Sequence, residues 1–289
     1  MALTHPQFDP VALRLGSIEL HWYGLMYLLA FAAAYGLAMY RAKKRGDFTP
    51  DMVSDLVFYG AMGVILGGRI GYVILYNFSE LLANPLYLFK VWEGGMSFHG
   101  GFMGVIVAML LFARKYQKSP FAVLDFIAPC VPTGLLFGRI GNFINGELWG
   151  RVSDGGHGHL MLFPQAVNAD YELLTTSPEL QKIAVQVGEY ALLPRHPSQV
   201  YQAFSEGVLL FILLWFFSTK PRPRYAVSAL FLLGYGISRF ITEFFRQPDI
   251  GYELFFGWMS KGQLYSLPMI IGGVILMSMA YKKNIYDWK

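Results

Sequence analysis

Long apolar runs follow one another along most of this chain. A helix needs about 20 mostly apolar residues to cross a bilayer. Windows of this kind occur at 21–40, 56–76, 98–113, 121–138, 200–218, 225–245 and 264–281. The third window is interrupted by Gly100-Gly101, and the fourth by Pro129 and Pro132. The pattern predicts an all-α membrane protein, a polytopic bundle of about seven transmembrane helices.

Composition and charge agree with a membrane protein and indicate its orientation. Hydrophobic residues make up 55% of the chain and charged residues 15%, with a mean hydropathy of +0.41; soluble domains are about 25% charged. If loops alternate between the two sides, the basic clusters at 41–45, 114–118, 220–224 and 282–289 share one side. Basic loops face the cytoplasm, so we expect the N-terminus outside and the C-terminus cytoplasmic. The pI near 9.0 then reflects topology, and no nucleic-acid partner is expected.

The whole chain, residues 1–289, is expected to form one integral-membrane domain. Its long polar stretch, residues 141–199, lies between the fourth and fifth spans and is predicted to be an extracytoplasmic head segment. Within this stretch, 178–190 is predicted to be a short surface helix. Residues 1–20 have no basic segment followed by a short apolar core, so no cleavable signal peptide is expected. We expect them at the outer surface as a short amphipathic segment.

The sequence offers little for metal or thiol chemistry. His157 and His159 are separated by a single glycine, with no cysteine and no wider histidine spacing beside them, so no metal is expected. Cys130 is the one cysteine of the chain and lies among apolar residues. It is predicted to be a small buried apolar side chain, not a nucleophile.

Polar residues at the edge of an apolar run mark a candidate site. The run 138–150, Gly-Arg-Ile-Gly-Asn-Phe-Ile-Asn-Gly-Glu-Leu-Trp-Gly, places Arg139, Asn142, Asn145 and Glu147 beside the fourth span. Charged side chains at membrane depth cost several kcal/mol unless they are paired or have a function. We therefore interpret this cluster as a functional site.

A second polar group lies in the sixth window. Tyr235, Arg239, Glu243 and Arg246 are spaced by 4, 4 and 3 residues, which places them on one face of a helix. One interpretation is internal pairing, with Arg239 and Glu243 as a buried salt bridge. The other is anion binding, because the arginines 69, 139, 239 and 246 outnumber the nearby acids 147, 206 and 243. Guanidinium groups match phosphate oxygens, and lipid headgroups supply phosphate at this depth.

Several motifs together are similar to those of the bacterial prolipoprotein diacylglyceryl transferase family. They are Gly-Gly-Met-Ser-Phe-His-Gly-Gly at 94–101, the 138–150 run, Arg-His-Pro-Ser-Gln at 195–199, His-Trp-Tyr-Gly at 21–24 and the segment 235–246. The resemblance extends from about residue 8 to residue 281, with the motifs in matching order. It implies a seven-span enzyme of the inner membrane whose site opens toward the periplasm and which uses no metal or organic cofactor.

The resemblance also implies the reaction and its partners. The diacylglyceryl group of phosphatidylglycerol is transferred to the thiol of a lipoprotein precursor, at the cysteine that follows the signal peptide, and glycerol phosphate is released. His99 matches the general base, with the alternative that it only hydrogen-bonds the headgroup or backbone. Arg139 and Arg239 match the groups that bind the phosphate and stabilise the charge of the leaving group.

Further residues are expected around these three. We expect Asn142, Asn145 and Glu147 to orient Arg139 and the headgroup hydroxyls, and Tyr23 and Tyr235 to donate hydrogen bonds to phosphate. Arg246 either holds a second lipid or the peptide, or forms a structural ion pair, and Glu243 is its neighbour on the same face. Tyr23 also suits the membrane interface simply as an amphipathic residue. Arg69 is expected to be a structural or gating residue.

Other classes of membrane protein remain as alternatives. A lipid or anionic-substrate transporter or flippase also uses arginines and broken helices at membrane depth, although the two halves of this chain show no repeat. A receptor or proton pump requires a ligand lysine or a carboxylate relay, and an intramembrane protease requires Ser-His, paired Asp or a zinc motif. None of these signatures is evident in the spans.

Overall fold

The computed structural model describes residues 2–16, 18–90, 92, 94–154, 159–248 and 254–288. It is mostly helical. The helices are α1 (Trp22–Arg45), α2 (Pro50–Tyr76), α3 (Phe78–Ala83), α4 (Phe98–Lys115), α5 (Pro120–Ile127), α6 (Val131–Ile144), α7 (Val167–Thr176), α8 (Ser198–Gln202), α9 (Leu210–Phe217), α10 (Ala226–Thr242) and α11 (Lys261–Lys283). The strands are β1 (Leu3–Thr4), β2 (Val11–Leu15), β3 (Ile18–His21), β4 (Met161–Leu162), β5 (Val185–Val187) and β6 (Tyr190–Leu192).

The helices reproduce the apolar windows of the sequence. Among the described residues, five helical stretches are long and apolar enough to cross a membrane: Trp22–Arg45, Pro50–Tyr76, Pro120–Ile144, Ser198–Phe217 and Lys261–Lys283. The other two windows correspond to α4, of 18 residues, and α10, of 17 residues. An all-α membrane protein is therefore confirmed as the fold class.

The two prolines of the fourth window do not break its helix. A 3₁₀ turn over Ala128–Cys130 joins α5 to α6, and the backbone keeps right-handed helical angles at Ile127 and Val131. Each proline stands near the start of its segment, where its missing N–H costs no hydrogen bond. Cys130 lies in this turn with 1% of its surface exposed, which confirms its interpretation as a small buried side chain.

Glycines bring α2 and α4 into close contact. Gly63, Gly67 and Gly71 recur every fourth residue and so share one face of α2, which packs against Gly100 and Gly104 of α4. A Cβ atom at Gly67 would lie 2.4 Å from the carbonyl oxygen of Gly100. Small residues at four-residue spacing allow membrane helices to pack backbone against backbone. This contact positions the first turn of α4.

The N-terminal segment joins the long polar stretch in one head. Strand β1 pairs in parallel with β4, and His5 lies between Phe143 and Phe163 while its Nε2 atom is 2.6 Å from the carbonyl oxygen of Phe143. The prediction of a short amphipathic segment over 1–20 is corrected to β1 and a β2–β3 hairpin. The predicted surface helix at 178–190 is also wrong, because only a 3₁₀ turn at Pro178–Lys182 precedes the β5–β6 hairpin around Gly188.

The C-terminal tail and the basic loops meet at one end of the bundle. The backbone N–H of Arg224 donates to the carbonyl of Ile285, and its guanidinium forms an ion pair with Asp287. The guanidinium of Arg45, at the end of α1, lies 4.9 Å from the ring of Trp288. Close by, the carboxylate of Asp125 accepts hydrogen bonds from the backbone N–H groups of Tyr225 and Ser228 and so caps α10.

Candidate active site

A buried carboxylate joins two arginines from different helices. Nε and Nη2 of Arg139, on α6, lie 3.3 and 3.2 Å from Oε2 of Glu206, and Nη1 of Arg239, on α10, lies 3.9 Å from Oε1 of Glu206. The side chain of Glu206 is completely buried, whereas 17% of the Arg139 and 14% of the Arg239 side chain is exposed. Glu206 therefore contacts both guanidinium groups from the buried side, and the two arginines keep a partly exposed side toward the candidate site.

The helix that carries Glu206 departs from α geometry at this residue. Ser198–Phe217 begins as α8, continues as a π-helical segment over Ala203–Leu209 and ends as α9. π-Helical turns are rare in proteins overall, but those that occur often lie at functional sites. They displace a side chain from its α-helical position. Gly207 allows the segment to approach α6 closely, since a Cβ atom there would lie 2.8 Å from Leu136 Cβ. The local geometry thus brings Glu206 to Arg139.

The ion network continues from Arg239 along α10. Nη2 of Arg239 lies 3.0 Å from Oε2 of Glu243, and Nη1 of Arg246 lies 3.8 Å from Oε1 of the same carboxylate. The predicted salt bridge between Arg239 and Glu243 is confirmed. Gly262, in the first turn of α11, packs against the Glu243 carboxylate, where a Cβ atom would come within 2.7 Å of its oxygens. The N-terminal end of α11 favours negative charge there.

The network also contains polar atoms without a hydrogen-bond partner in the part of the chain that the structure describes. Three guanidinium groups face the two carboxylates of Glu206 and Glu243. Nη1 of Arg239 and Oε1 of Glu206 are too far apart for a hydrogen bond, and neither atom has a hydrogen-bond partner among the described residues. Buried polar atoms are nearly always hydrogen-bonded. Both atoms are therefore departures from the usual pattern within the described part of the chain.

The 138–150 run forms a second polar cluster at the end of α6. Asn142 donates from Nδ2 to Oε1 of Glu147 over 2.8 Å, and Asn145 approaches the same oxygen at 3.5 Å. Asn142, Asn145 and Glu147 were expected to orient Arg139 and the headgroup hydroxyls. The described contacts of the two amides are with Glu147, and the role of all three stays a prediction. The turn requires positive φ angles at Gly146 (65°) and Leu148 (57°), and the packing of Gln165 against Gly146 leaves no space for a Cβ atom.

The Arg-His-Pro-Ser-Gln motif at 195–199 holds this turn in place. Gln199 donates from Nε2 to the carbonyl of Glu147, and Ser198 donates from Oγ to the carbonyl of Leu148. The backbone N–H of Gly150 donates to the carbonyl of His196. Burial lowers the pKa of His196, which favours its neutral form. The motif thus supports the site through backbone contacts.

A buried ion pair anchors the motif to the head. Nη2 of Arg195 lies 2.5 Å from Oδ1 of Asp170, a residue of α7, and both side chains are completely buried. Asp170 also accepts the backbone N–H of Leu193, and Arg195 donates to the carbonyl of Gly150. Charges buried in this way are stable when every partner is present. The head is therefore a rigid support for the 145–150 turn.

The end of α10 and the start of α1 complete the surroundings. The carbonyl of Arg246 accepts from Nε of Arg151, which ties this end of the network to the 150–152 loop. The ring of Tyr23 packs over Gly141, where a Cβ atom would lie 3.2 Å from its Cδ2. Tyr235 stacks on Phe231 one helical turn before Arg239. The structure therefore places both tyrosines on the helices that carry the two arginines or pack against them.

His99 and Arg69 lie on the neighbouring helix pair. His99 is exposed in the first turn of α4, after Ser97, whose Oγ accepts the N–H of Gly100 and caps the helix. Arg69 donates to the carbonyls of Tyr87, Leu88 and Gly94, so it holds these residues against α2. These contacts agree with a structural role for Arg69.

Glu206 is the main site residue that the motifs did not identify. It counted only as one of the acids near the arginines. The usable signal is that Glu206 is the single charged residue of the 200–218 window. No group of three or more metal-ligating side chains occurs within the described ranges, from which His157 is absent.

The fold defines a polytopic membrane protein, and its described ion network joins arginines of two helices to buried carboxylates. The chain belongs to the prolipoprotein diacylglyceryl transferase family, whose model matches residues 10–279, and this makes it an enzyme. It is 69% identical over 288 residues to the phosphatidylglycerol–prolipoprotein diacylglyceryl transferase of Psychrobacter arcticus, covering 99% of this chain and 98% of the relative. The proteins of the same name from Acinetobacter baumannii and Acinetobacter baylyi are 60% and 59% identical, over 99% of this chain and 97% of theirs. The resemblance expected from the motifs is confirmed.

Proposed function

We propose that this chain transfers the diacylglyceryl group of phosphatidylglycerol to the thiol of the cysteine that follows the signal peptide of a lipoprotein precursor. The observation that carries the proposal is the pair Arg139 and Arg239, whose guanidinium groups meet at the buried carboxylate of Glu206 while each side chain keeps an exposed part. Relatives that share 60–69% of their residues with this chain bear the name of this activity. A transporter or flippase is not favoured, because the family is one of transferases.

The reaction is a displacement at the carbon of the diacylglyceryl group that is bonded to the phosphate oxygen. The thiolate sulfur forms a bond to this carbon, and the bond between the carbon and the phosphate oxygen breaks. The electron pair leaves with glycerol phosphate, and the thiol proton is transferred to a base. The protein must therefore provide a thiolate and stabilise negative charge on the leaving phosphate.

Arg139 and Arg239 bind the phosphate in this scheme. Guanidinium groups form paired hydrogen bonds with phosphate oxygens, and such bonds strengthen as charge develops on the oxygen. Part of each side chain is exposed, 17% for Arg139 and 14% for Arg239, which supports a contact with a phosphate oxygen. The completely buried Glu206 holds the two arginines from behind.

His99 accepts the thiol proton. A free cysteine has a pKa near 8.5, so only a few per cent is thiolate at neutral pH, and a neutral imidazole raises that fraction. His99 stands exposed in the first turn of α4, where a substrate thiol can reach it. The α2–α4 glycine contact fixes the position of this turn.

The remaining polar residues bind the headgroup and the substrates. Asn142, Asn145 and Glu147 act as one hydrogen-bonded unit that contacts the glycerol hydroxyls. Tyr23 and Tyr235 donate hydrogen bonds to phosphate oxygens. Glu243 positions Arg239 and Arg246, and Arg246 receives the precursor or a second lipid.

The enzyme resides in the bacterial inner membrane with seven spans and its site toward the periplasm. The N-terminal strand β1 pairs with β4 of the 141–199 head, which supports a shared location outside the cytoplasm. The basic loop at 220–224 and the C-terminal tail meet the end of α1 at the other end of the bundle, in agreement with a cytoplasmic C-terminus. Helices α4 and α10 serve as the two shorter spans.

A reconstituted reaction tests the proposal. The purified protein is placed in phosphatidylglycerol liposomes with a synthetic lipoprotein signal peptide that carries its cysteine. We expect release of glycerol phosphate together with a gain of one diacylglyceryl mass on the peptide. A peptide with serine in place of the cysteine should give neither. No mass gain from folded protein that binds phosphatidylglycerol would contradict the transferase and favour a transport pathway.

A further inference from the structure

An apolar groove lies between three membrane helices, beside the ion network. Its volume is about 530 Å³, within the range of small-molecule sites. The walls include Gly36 and Leu37 of α1, Thr133 and Phe137 of α6, and Val208 and Phe211 of the Ser198–Phe217 stretch. The hydroxyl of Thr133 donates to the carbonyl of Cys130, so it is satisfied within its own helix. The groove therefore presents an apolar surface.

One end of the groove adjoins the arginine site. Leu136 also lines the groove and lies three residues before Arg139, on the same face of α6. Gly207, next to Glu206, packs against Leu136, so the lining continues from the Arg139–Glu206 ion pair. Thr133 is six residues before Arg139, about 9 Å along the helix axis. Half of the hydrocarbon core of a bilayer measures about 15 Å. The groove thus runs from the charged groups toward the membrane centre.

Glycine residues determine the width of the groove. No atom lies within 4 Å of the position that a Cβ atom would take at Gly36, so the wall there is open. At Gly207 there is no space for a Cβ atom, because α6 packs tightly against that glycine. The side chain at position 36 therefore decides how much space remains between α1 and the other two helices.

We propose that this groove holds one acyl chain of the phosphatidylglycerol whose phosphate is bound by Arg139 and Arg239, and that Gly36 sets the chain length accepted. The inference rests on the proposed function. A diacyl lipid joins a phosphate to apolar chains, which matches a charged site that continues into an apolar groove. An acyl chain that moves from the bilayer into the groove stays in apolar surroundings and so gains no free energy from the hydrophobic effect. The groove therefore selects among acyl chains by the space that it offers.

A substitution that fills part of the groove tests the proposal. In Gly36→Leu the new side chain enters the groove without a backbone clash, and leucine is a better helix former than glycine. Gly272→Leu is the matched control, because Gly272 also has open space around it but lies on α11, outside the groove lining. Each protein is given vesicles with equal amounts of di-12:0 and di-18:0 phosphatidylglycerol, and the mass of the lipidated peptide reports the chain used.

We expect Gly36→Leu to shift the product ratio toward the short chain about tenfold, the size of effect that small changes in an apolar pocket produce. Gly272→Leu should keep the wild-type ratio. An active Gly36→Leu protein with an unchanged ratio would overturn the acyl-chain assignment and leave the transferase intact. A wild-type protein that transfers neither lipid would instead contradict the proposed function.

A binding measurement on the wild-type protein covers the case in which the variant does not fold. Phosphatidylglycerol with a photoreactive diazirine near the end of one acyl chain is irradiated with the protein, and cross-linked peptides are mapped by mass spectrometry. We expect adducts within 33–37, 133–137 and 207–211, in excess over those from phosphatidylcholine with the same chain. Equal labelling by both lipids, or labelling elsewhere, would show that the groove contacts only bulk lipid.

Discussion

Nη2 of Arg139 lies 3.2 Å from Oε2 of Glu206, a carboxylate with no exposed surface that belongs to a π-helical segment. The same carboxylate faces Arg239 on a third helix. Glu206 therefore holds Arg139, and Glu206 and Glu243 together hold Arg239, so the substrate phosphate is expected to meet a preorganised pair. Preorganised charges cost no rearrangement when the leaving group departs.

Arg139→Lys tests the geometry of the phosphate contact. Lysine keeps the charge but loses the planar fork of hydrogen-bond donors. We expect kcat/KM to fall by a factor of about 10 to 150, which corresponds to about 1.5–3 kcal/mol for a charged hydrogen bond, and Arg139→Ala to lose most of the turnover. Arg14→Lys, in the exposed β2–β3 hairpin, is the control and should keep full activity. Wild-type rates in a folded Arg139→Ala protein would exclude the role.

Glu206→Gln tests whether the carboxylate positions the arginines. The amide has the same shape but no charge, and breaking a buried ion pair costs about 3–5 kcal/mol. We expect a lower melting temperature and a fall in kcat that exceeds the change in KM. Asp125→Asn removes another buried carboxylate, at the opposite end of α10, and should lower only the melting temperature. An equal kcat for Glu206→Gln and wild type would mean that Glu206 acts in stability alone.

His99→Gln separates a general base from a binding residue. Glutamine can still hydrogen-bond a headgroup, but it cannot accept the thiol proton at neutral pH. We expect a large loss of kcat at pH 7 that recovers as the pH approaches the pKa of the substrate thiol, near 8.5. The measurement is the pH–rate profile from about pH 6 to 9.5, a range that spans the imidazole and thiol pKa values. A variant profile that runs parallel to the wild-type profile would contradict the base.

Gly67→Ala tests the contact between α2 and α4. The new methyl group meets the backbone of Gly100 and Gly104, and overpacking of this kind costs about 1–3 kcal/mol. We expect a lower melting temperature and reduced turnover, because α4 carries His99. Gly60→Ala in the same helix is the control, since its nearest neighbour is the flexible end of Met109 at 3.9 Å. Equal melting temperatures for the two variants would contradict the packing argument.

Acid should destabilise the head through His5. Burial lowers the pKa of His5 below its ordinary value of 6.5, and its Nδ1 atom has no hydrogen-bond partner among the described residues. The unfolded chain binds a proton near pH 6.5 while the folded head does not. Stability is therefore full above about pH 6.5 and decreases as the pH falls below it, by at most about 1.4 kcal/mol per pH unit for one group.

The check for His5 is the melting temperature between about pH 5 and 8, on both sides of the ordinary histidine pKa. His5→Gln keeps a donor to the Phe143 carbonyl and carries no titrating group, so its melting temperature should depend less on pH. The remaining slope is assigned to His196, whose pKa burial also lowers. If His5→Gln and wild type showed the same slope, the buried imidazole would not be the group that titrates.

The sequence by itself determined the membrane class, the family and the two arginines. Long apolar windows are typical of membrane-spanning helices, and charged side chains at membrane depth are rare unless they serve a function. The sequence could not predict that two prolines would fit a 3₁₀ turn and keep the fourth helix intact, or that a hairpin would form over 185–192. Both depend on local backbone geometry, which the weak helix and strand propensities of single residues do not specify.

Only the tertiary structure decided which residues share partners. Arg139 and Glu206 are 67 residues apart, and their contact depends on a π-helical turn and on the close approach of α6 to Gly207. Likewise, the 195–199 motif contacts the backbone of the 145–150 turn and so supports the site from outside. Sequence spacing reports neighbours on one helix, whereas contacts between helices arise from packing, which is a property of the whole folded chain.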